Sequence, residues 1–347
     1  MDVVNQKIIQ AVIDKANKVC PDSLALIGIY GSVATGDAYE KSDLDLLILI
    51  EDDEGWKLGT GFILDDRKVG YDIYCTNWCG LRYDAECHHA HLAKLMDSRI
   101  VYVKNQAAYD ELCTLRTQAE QFLESEGRFQ RASELVDKAK ISYANACLAE
   151  TLGQVRLEAS GVISYLTDAI MLYHGSYFKR GVKRTFEELA ALQLDEMFIH
   201  TIQKVVVSKG ISELRDLLKY LILYVESHIR KEKKKSEPSE VLAGTYEEMY
   251  SNWRNKMEEA EKNNAPYASY MNMCSLQLMF LEISDETEIG DFNIMDEYSP
   301  ESLENNTKIF DKYLQKYEEV YRHAGISVKR FADVDEFAAD YLQFIRD

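Results

Sequence analysis

Asp43 and Asp45 stand two residues apart, and ten residues separate them from a Gly31-Ser32 pair. Carboxylates on one side of an extended segment repel and raise each other's pKa unless a cation lies between them. Such a pair suggests Mg²⁺ held together with a nucleotide phosphate. Gly31 lets the backbone approach a ligand that a side chain would exclude, and Ser32 offers a hydroxyl and a free N–H, so a phosphate site is one reading of the turn.

The flanking residues must position these groups. Residues 24–30, LALIGIY, have the length and bulk of a buried strand that ends in a tight turn at Gly31. Residues 46–50, LLILI, form a second apolar run with the two aspartates at its start, and the strand period of two places Asp43 and Asp45 on the same side. Residues 69–75, VGYDIYC, make a third run with a lone Asp72, a charge costly to bury unless it is paired or metal-bound.

This order of a Gly-Ser turn, then Asp-x-Asp, then a carboxylate on a later strand resembles the signature of the nucleotidyltransferase superfamily, with its DNA polymerase beta-like fold. The resemblance spans roughly residues 20–105. It implies an α+β fold, a small mixed-sheet catalytic domain followed by all-helical domains, with the third carboxylate on a strand of the same sheet. It also implies Mg²⁺ at Asp43, Asp45 and Asp72, with ATP or another NTP as co-substrate and pyrophosphate as leaving group. Gly31 and Ser32 would grip the β- and γ-phosphates, and Asp72 would either complete a second metal site or act as general base.

A leading amphipathic helix over residues 3–19 and a helix over 78–97 complete the first domain, with a closing strand over 98–104. Six Cys and His residues crowd between Cys75 and His91; they suit either zinc or a helix with incidental ligands, and their irregular spacing favours the helix. Beyond residue 106 the periodicity is helical, predicting helices over 107–125, 128–158, 160–174, 185–208, 211–231, 245–262, 267–283, 301–323 and 333–345. The run KEKKKSEPSE at 231–240 reads as a linker, giving domains 1–105, 106–235 and 240–347. Lys179, Arg180, Lys183 and Arg184 form a basic cluster in an otherwise acidic chain. Lys179 and Lys183 are candidate ligands of the triphosphate, and a solvated basic turn is the competing reading.

At 347 residues and a formal net charge of −19, the chain is poorly suited to a nucleic-acid partner, since that binding runs on phosphate neutralisation by Lys and Arg. No run is long and apolar enough for a membrane span, and seven cysteines without repeated spacing or a secretory leader predict a cytoplasmic protein. The sheet-then-helices layout resembles the aminoglycoside and lincosamide nucleotidyltransferases, which cause antibiotic resistance by adenylylating a hydroxyl. That resemblance implies a small-molecule hydroxyl acceptor and a homodimer in which helices complete the cleft. A protein-modifying or toxin-neutralising adenylyltransferase, and a non-catalytic nucleotide sensor, are the alternative readings.

Overall fold

The computed structural model describes residues 3–229 and 235–342, which fall into two compact units, Met1–Lys231 and Glu232–Asp347. In the first, helix α1 (Val3–Val19) precedes strand β1 (Leu24–Ile29), the short helix α2 (Gly31–Thr35) and strand β2 (Leu46–Ile50). Strands β3 (Thr60–Leu64), β4 (Val69–Ile73) and β5 (Cys75–Asn77) follow, then helices α3 (Trp78–Ala85) and α4 (Ala93–Met96) and strand β6 (Arg99–Val103). The main sheet is mixed, in the order β5-β2-β1-β6, with β2 and β5 parallel and the other pairs antiparallel.

Every residue of β1 and β2 is buried, because both faces of the sheet are covered. On one face Ile27, Ile29, Ile48 and Ile50 pack with Ile8 and Val12 of α1. On the other, Ala25, Leu26, Leu47 and Leu49 join a core that continues through helices as far as Ile229. Ala25 and Leu26 both reach this second core because the β1–β2 register shifts between Leu24 and Leu26, which breaks the alternation of sides. The sheet and the following helices therefore share one core, with no division near residue 105.

Those helices are α5 (Gln106–Glu124), α6 (Gly127–Leu148), α7 (Leu152–Tyr173), α8 (Thr185–Ala190), α9 (Glu196–Val207) and α10 (Ile211–Ile229). The helix expected over 128–158 breaks before Leu152, where Thr151 and Gln154 form a reciprocal capping box. The helix expected over 185–208 is interrupted at 191–195, where Gln193 takes a left-handed φ of 56° and Asp195 caps α9. The helix expected over 78–97 also splits, at Cys87 with φ 52°.

At the open ends of α7 and α10, His174 Nε2 and His228 Nε2 lie 3.0 Å apart, and desolvation holds both rings below the ordinary histidine value of 6.5. One proton can lie between the two nitrogens, and a second would place two cations in contact. A depressed histidine contributes stability above the unfolded value that is lost as pH falls through the folded value. The melting temperature is therefore expected to drop as pH is lowered from 7 to 5. His228→Asn should flatten that slope, which a thermal-shift series across pH checks.

The second unit contains helices α11 (Pro238–Leu242), α12 (Thr245–Met249), α13 (Asn255–Lys262), α14 (Pro266–Glu286), α15 (Leu303–His323) and α16 (Val334–Tyr341). A π-helical turn over Tyr250–Arg254 joins α12 to α13, interrupting the helix expected over 245–262. The unit's own core is aromatic, built on Phe280, Phe292, Phe310, Tyr317 and Tyr321. Of the charged run expected to act as linker, residues 231–234 lie outside the described residues, as do 343–345 of the last expected helix. Ser236 belongs to the second unit, its N–H donating to Glu286 O and its carbonyl accepting from Thr287 Oγ1.

Candidate active site

The chain leaves β1 extended at Tyr30 and turns at once, with Gly31 at φ 67° opening α2. Tyr30 N–H donates to the Asp45 carbonyl at 3.1 Å, and the Ser32 backbone N–H faces the Asp45 carboxylate. A Cβ on Gly31 would lie 2.0 Å from Asp45 Oδ2. The glycine is thus required twice, by its left-handed backbone and by the carboxylate in the space a side chain would fill.

The aspartates sit in extended chain immediately before β2 rather than on it. The alternation still holds, with Leu44 buried between an exposed Asp43 and a half-buried Asp45. Burial pushes the Asp45 carboxyl above its ordinary value, the Asp43 charge adds to this, and the Ser32 N–H opposes it. The Tyr30 hydroxyl is pushed up to about 12, first by burial and then by Asp45, Asp84 and Asp43. Negative potential therefore accumulates here, and no Lys or Arg ion pair relieves Asp43 or Asp45 among the described residues.

Gly31, Ser32, Asp43 and Asp45 line a cleft of about 480 Å³, together with Lys41 and Lys183. Asp72 does not line it. Strand β4 pairs only with β3, in a two-stranded sheet apart from the main one, so the expectation of a carboxylate on the same sheet is corrected. Residues 69, 71 and 73 of β4 point inward, which leaves Asp72 on the exposed face. Its charge is solvated, and burial gives no reason to assign it a metal. Asp72 instead lines a neighbouring cleft of about 630 Å³ with Phe62 and Tyr71, and Asp43 and Gly70 belong to both clefts. Among the described residues no three His, Cys, Asp or Glu side chains converge as a metal site, so the three aspartates are not closed into one ligand set.

The basic cluster also divides. Lys183 stands on the wall of the first cleft, its Nζ donating to the Asp37 carbonyl at 2.5 Å. Lys179 does not line that cleft; its ammonium lies over the Tyr177 ring. Arg184 pairs with Asp37 at 3.0 Å and Glu187 at 2.6 Å, and Arg180 with Glu188 at 3.0 Å. The cluster thus works as a strap that clasps the loop between the two motifs through Asp37. Lys41 and Asp37 have no signal in the sequence, because their place depends on how that loop folds back under residues 181–184. Asp37→Asn removes the charge that both arginines face, and the strap contains four tryptic sites, so trypsin is expected to cleave within 179–184 about tenfold faster, the equivalent of ~1.4 kcal/mol of lost closure. Timed digestion with mass spectrometry reads this directly.

Apart from the exposed Cys79, the Cys and His residues between 75 and 91 have other occupations. Burial pushes the Cys75 thiol up to about 11 and the Cys87 thiol to about 12, which disfavours the thiolate a metal needs. His89 faces Asp84 at 3.2 Å, His91 faces Asp168 at 3.5 Å, and His88 stacks on Tyr83. Both partner carboxylates are buried, so these contacts tie the loop before α4 to α3 and α7.

Among the described residues no helix is long and apolar enough to cross a membrane. No curated protein matches the chain. A solved nucleotidyltransferase-like protein from Exiguobacterium sibiricum 255-15 is 14% identical over 72% of this chain and 80% of its own, with a TM-score of 0.35, too low to bear on the fold. The family model described as "Nucleotidyltransferase domain" matches residues 7–100, which include the Gly31-Ser32 turn and all three aspartates. Residues 7–100 are thus a domain of the nucleotidyltransferase superfamily, and within it the Gly31 turn folds against Asp45.

Proposed function

We propose that this domain transfers a nucleoside monophosphate, AMP from ATP foremost, to a hydroxyl of a small molecule and releases pyrophosphate. The observation that carries the reading is the seating of the Asp45 carboxylate in the space above Gly31, with the Ser32 N–H turned toward it and no basic partner on either aspartate among the described residues. Two hard oxygen donors with uncompensated charge fit Mg²⁺, which commonly takes one or two carboxylates and completes its shell with phosphate and water. Asp43 and Asp45 would hold the ion. When bound, it supplies charge neutralisation at the phosphates and alignment for in-line attack.

The chain's own residues carry the rest. The α2 turn presents Ser32 to the departing phosphates, and Lys41 and Lys183 add positive charge on the same wall. Asp72, exposed on the adjoining cleft, is assigned the role of base toward an acceptor hydroxyl that lies between it and Asp43. Ile63, exposed beside it on the same face of the hairpin, suits an acceptor with a hydrophobic or ring face, and the aminoglycoside and lincosamide classes lead the panel of acceptors to try.

The test is pyrophosphate release from ATP, GTP, CTP and UTP with Mg²⁺, against aminoglycosides, lincosamides and simple polyols. Asp43→Asn is expected to lower acceptor-dependent release by on the order of 10³-fold while the protein stays folded. Absence of Mg²⁺-dependent nucleotide binding would overturn the site, and binding without release to any acceptor would overturn the small-molecule target.

A further inference from the structure

The hairpin that carries Asp72 has a second side. Behind it, Phe62 and Leu64 of β3 and Ile73 of β4 face Ile8 and Val12 of α1 across a groove of about 440 Å³, floored by Leu58. That volume suits one small ligand, and the walls are predominantly apolar. Two cations, Lys7 and Lys15, stand on the α1 side of the rim, against a single carboxylate, Asp66. Neither lysine makes an ion pair among the described residues. Positions 7, 11 and 15 recur at helical spacing, so one stripe of α1 presents charge, a small alanine and charge along the mouth of the groove.

We infer that this groove binds an anionic amphiphile, an aliphatic or aromatic carboxylate whose apolar body lies between α1 and the hairpin and whose head meets Lys7 or Lys15. Two features favour this occupant over an apolar peptide or a neutral molecule. The floor is closed by side chains that are themselves almost fully buried, Leu58 at 1% and Ile73 at 3% exposure, so the groove takes a chain or ring rather than a flat protein face. The excess of positive charge at its rim runs against a chain of net charge −19, where a fortuitous surface would be acidic. Phe62 stands in the walls of both this groove and the cleft of Asp72, so an occupant here rests on the back of the hairpin that shapes that cleft.

Binding can be read without any transferase activity. In isothermal titration with dodecanoate below its micellar concentration, the wild-type protein is expected to bind one equivalent. Dodecyltrimethylammonium, with the same tail and the opposite charge, is expected to bind at least about tenfold more weakly, whereas non-specific adsorption to so acidic a protein would favour the cation. Ala11→Trp, a change at an exposed position on the groove wall, should abolish the stoichiometric site. Lys7→Glu with Lys15→Glu should reverse the preference between the two amphiphiles. Circular dichroism checks that each variant is folded. No saturable dodecanoate binding, binding unaffected by Ala11→Trp, or a wild-type preference for the cationic amphiphile would each overturn the inference.

Discussion

Gly31→Ala is expected to lower pyrophosphate release by at least about 10²-fold while leaving the fold in place. The new methyl group would meet Asp45 Oδ2 at 2.0 Å and Cγ at 2.7 Å, distances no pair of atoms can hold. The obstacle is the end of a side chain, so the carboxylate swings away and the backbone survives. What is lost is the placement of one of the two proposed metal ligands. The left-handed φ of 67° adds roughly 1–2 kcal/mol of strain for any L side chain. Gly36→Ala separates the two costs, because its φ of 77° carries the same strain but nothing lies within 4 Å of the added Cβ. Steady-state kinetics on both variants, beside their melting temperatures, should show similar small losses of stability and a large difference in activity. Equal activities would mean that the approach of Asp45 to the turn has no part in the reaction.

The largest expected loss of stability lies in the other unit. Phe280 is 1% exposed, with its ring centroid 4.5 Å from Phe292 and 5.4 Å from Tyr317. Phe280→Ala is expected to cost about 3–5 kcal/mol, the transfer cost of the ring plus that of the cavity left where rigid aromatic neighbours cannot collapse. Because that core is drawn wholly from residues of the second unit, the loss should fall on protection of α14 and α15 in hydrogen exchange. The helices of the first unit, which close a separate core, should keep theirs. A uniform loss of protection over both units, or a cost under about 1 kcal/mol, would contradict this account of the core.

Much of the catalytic half is legible in the amino-acid sequence. Residues 24–29 and 46–50 read as buried strands because they are covered on both faces, and continuous apolar runs are the sequence mark of that situation. The Asp72 strand and the closing strand at residues 99–103 are legible for a different reason, since each alternates between covered and exposed positions. Helix breaks are less so. The ends at Leu148 and Ala190 depend on a capping box and a left-handed glutamine, local choices that the apolar period runs through without a mark. Asp72 reads as buried in the sequence and is exposed in the fold, since an aspartate on the outward position of a half-exposed strand has the same flanking residues as one paired in a core.

Gly31, Ser32, Asp43 and Asp45 are singled out by the sequence alone because their geometry is local. A turn and an alternating strand entry, joined by a short loop, bring them to one end of the sheet whatever surrounds it. The tertiary structure decides everything that depends on distant segments meeting. It places Lys183, 146 residues beyond Asp37 in the chain, on the same cleft, and turns its basic neighbours into a strap on Asp37. It sets Asp72 on a second wall shared with Asp43, and fuses the sheet and the first helices into one core. Periodicity reports which face of an element is covered, but only packing determines what covers it.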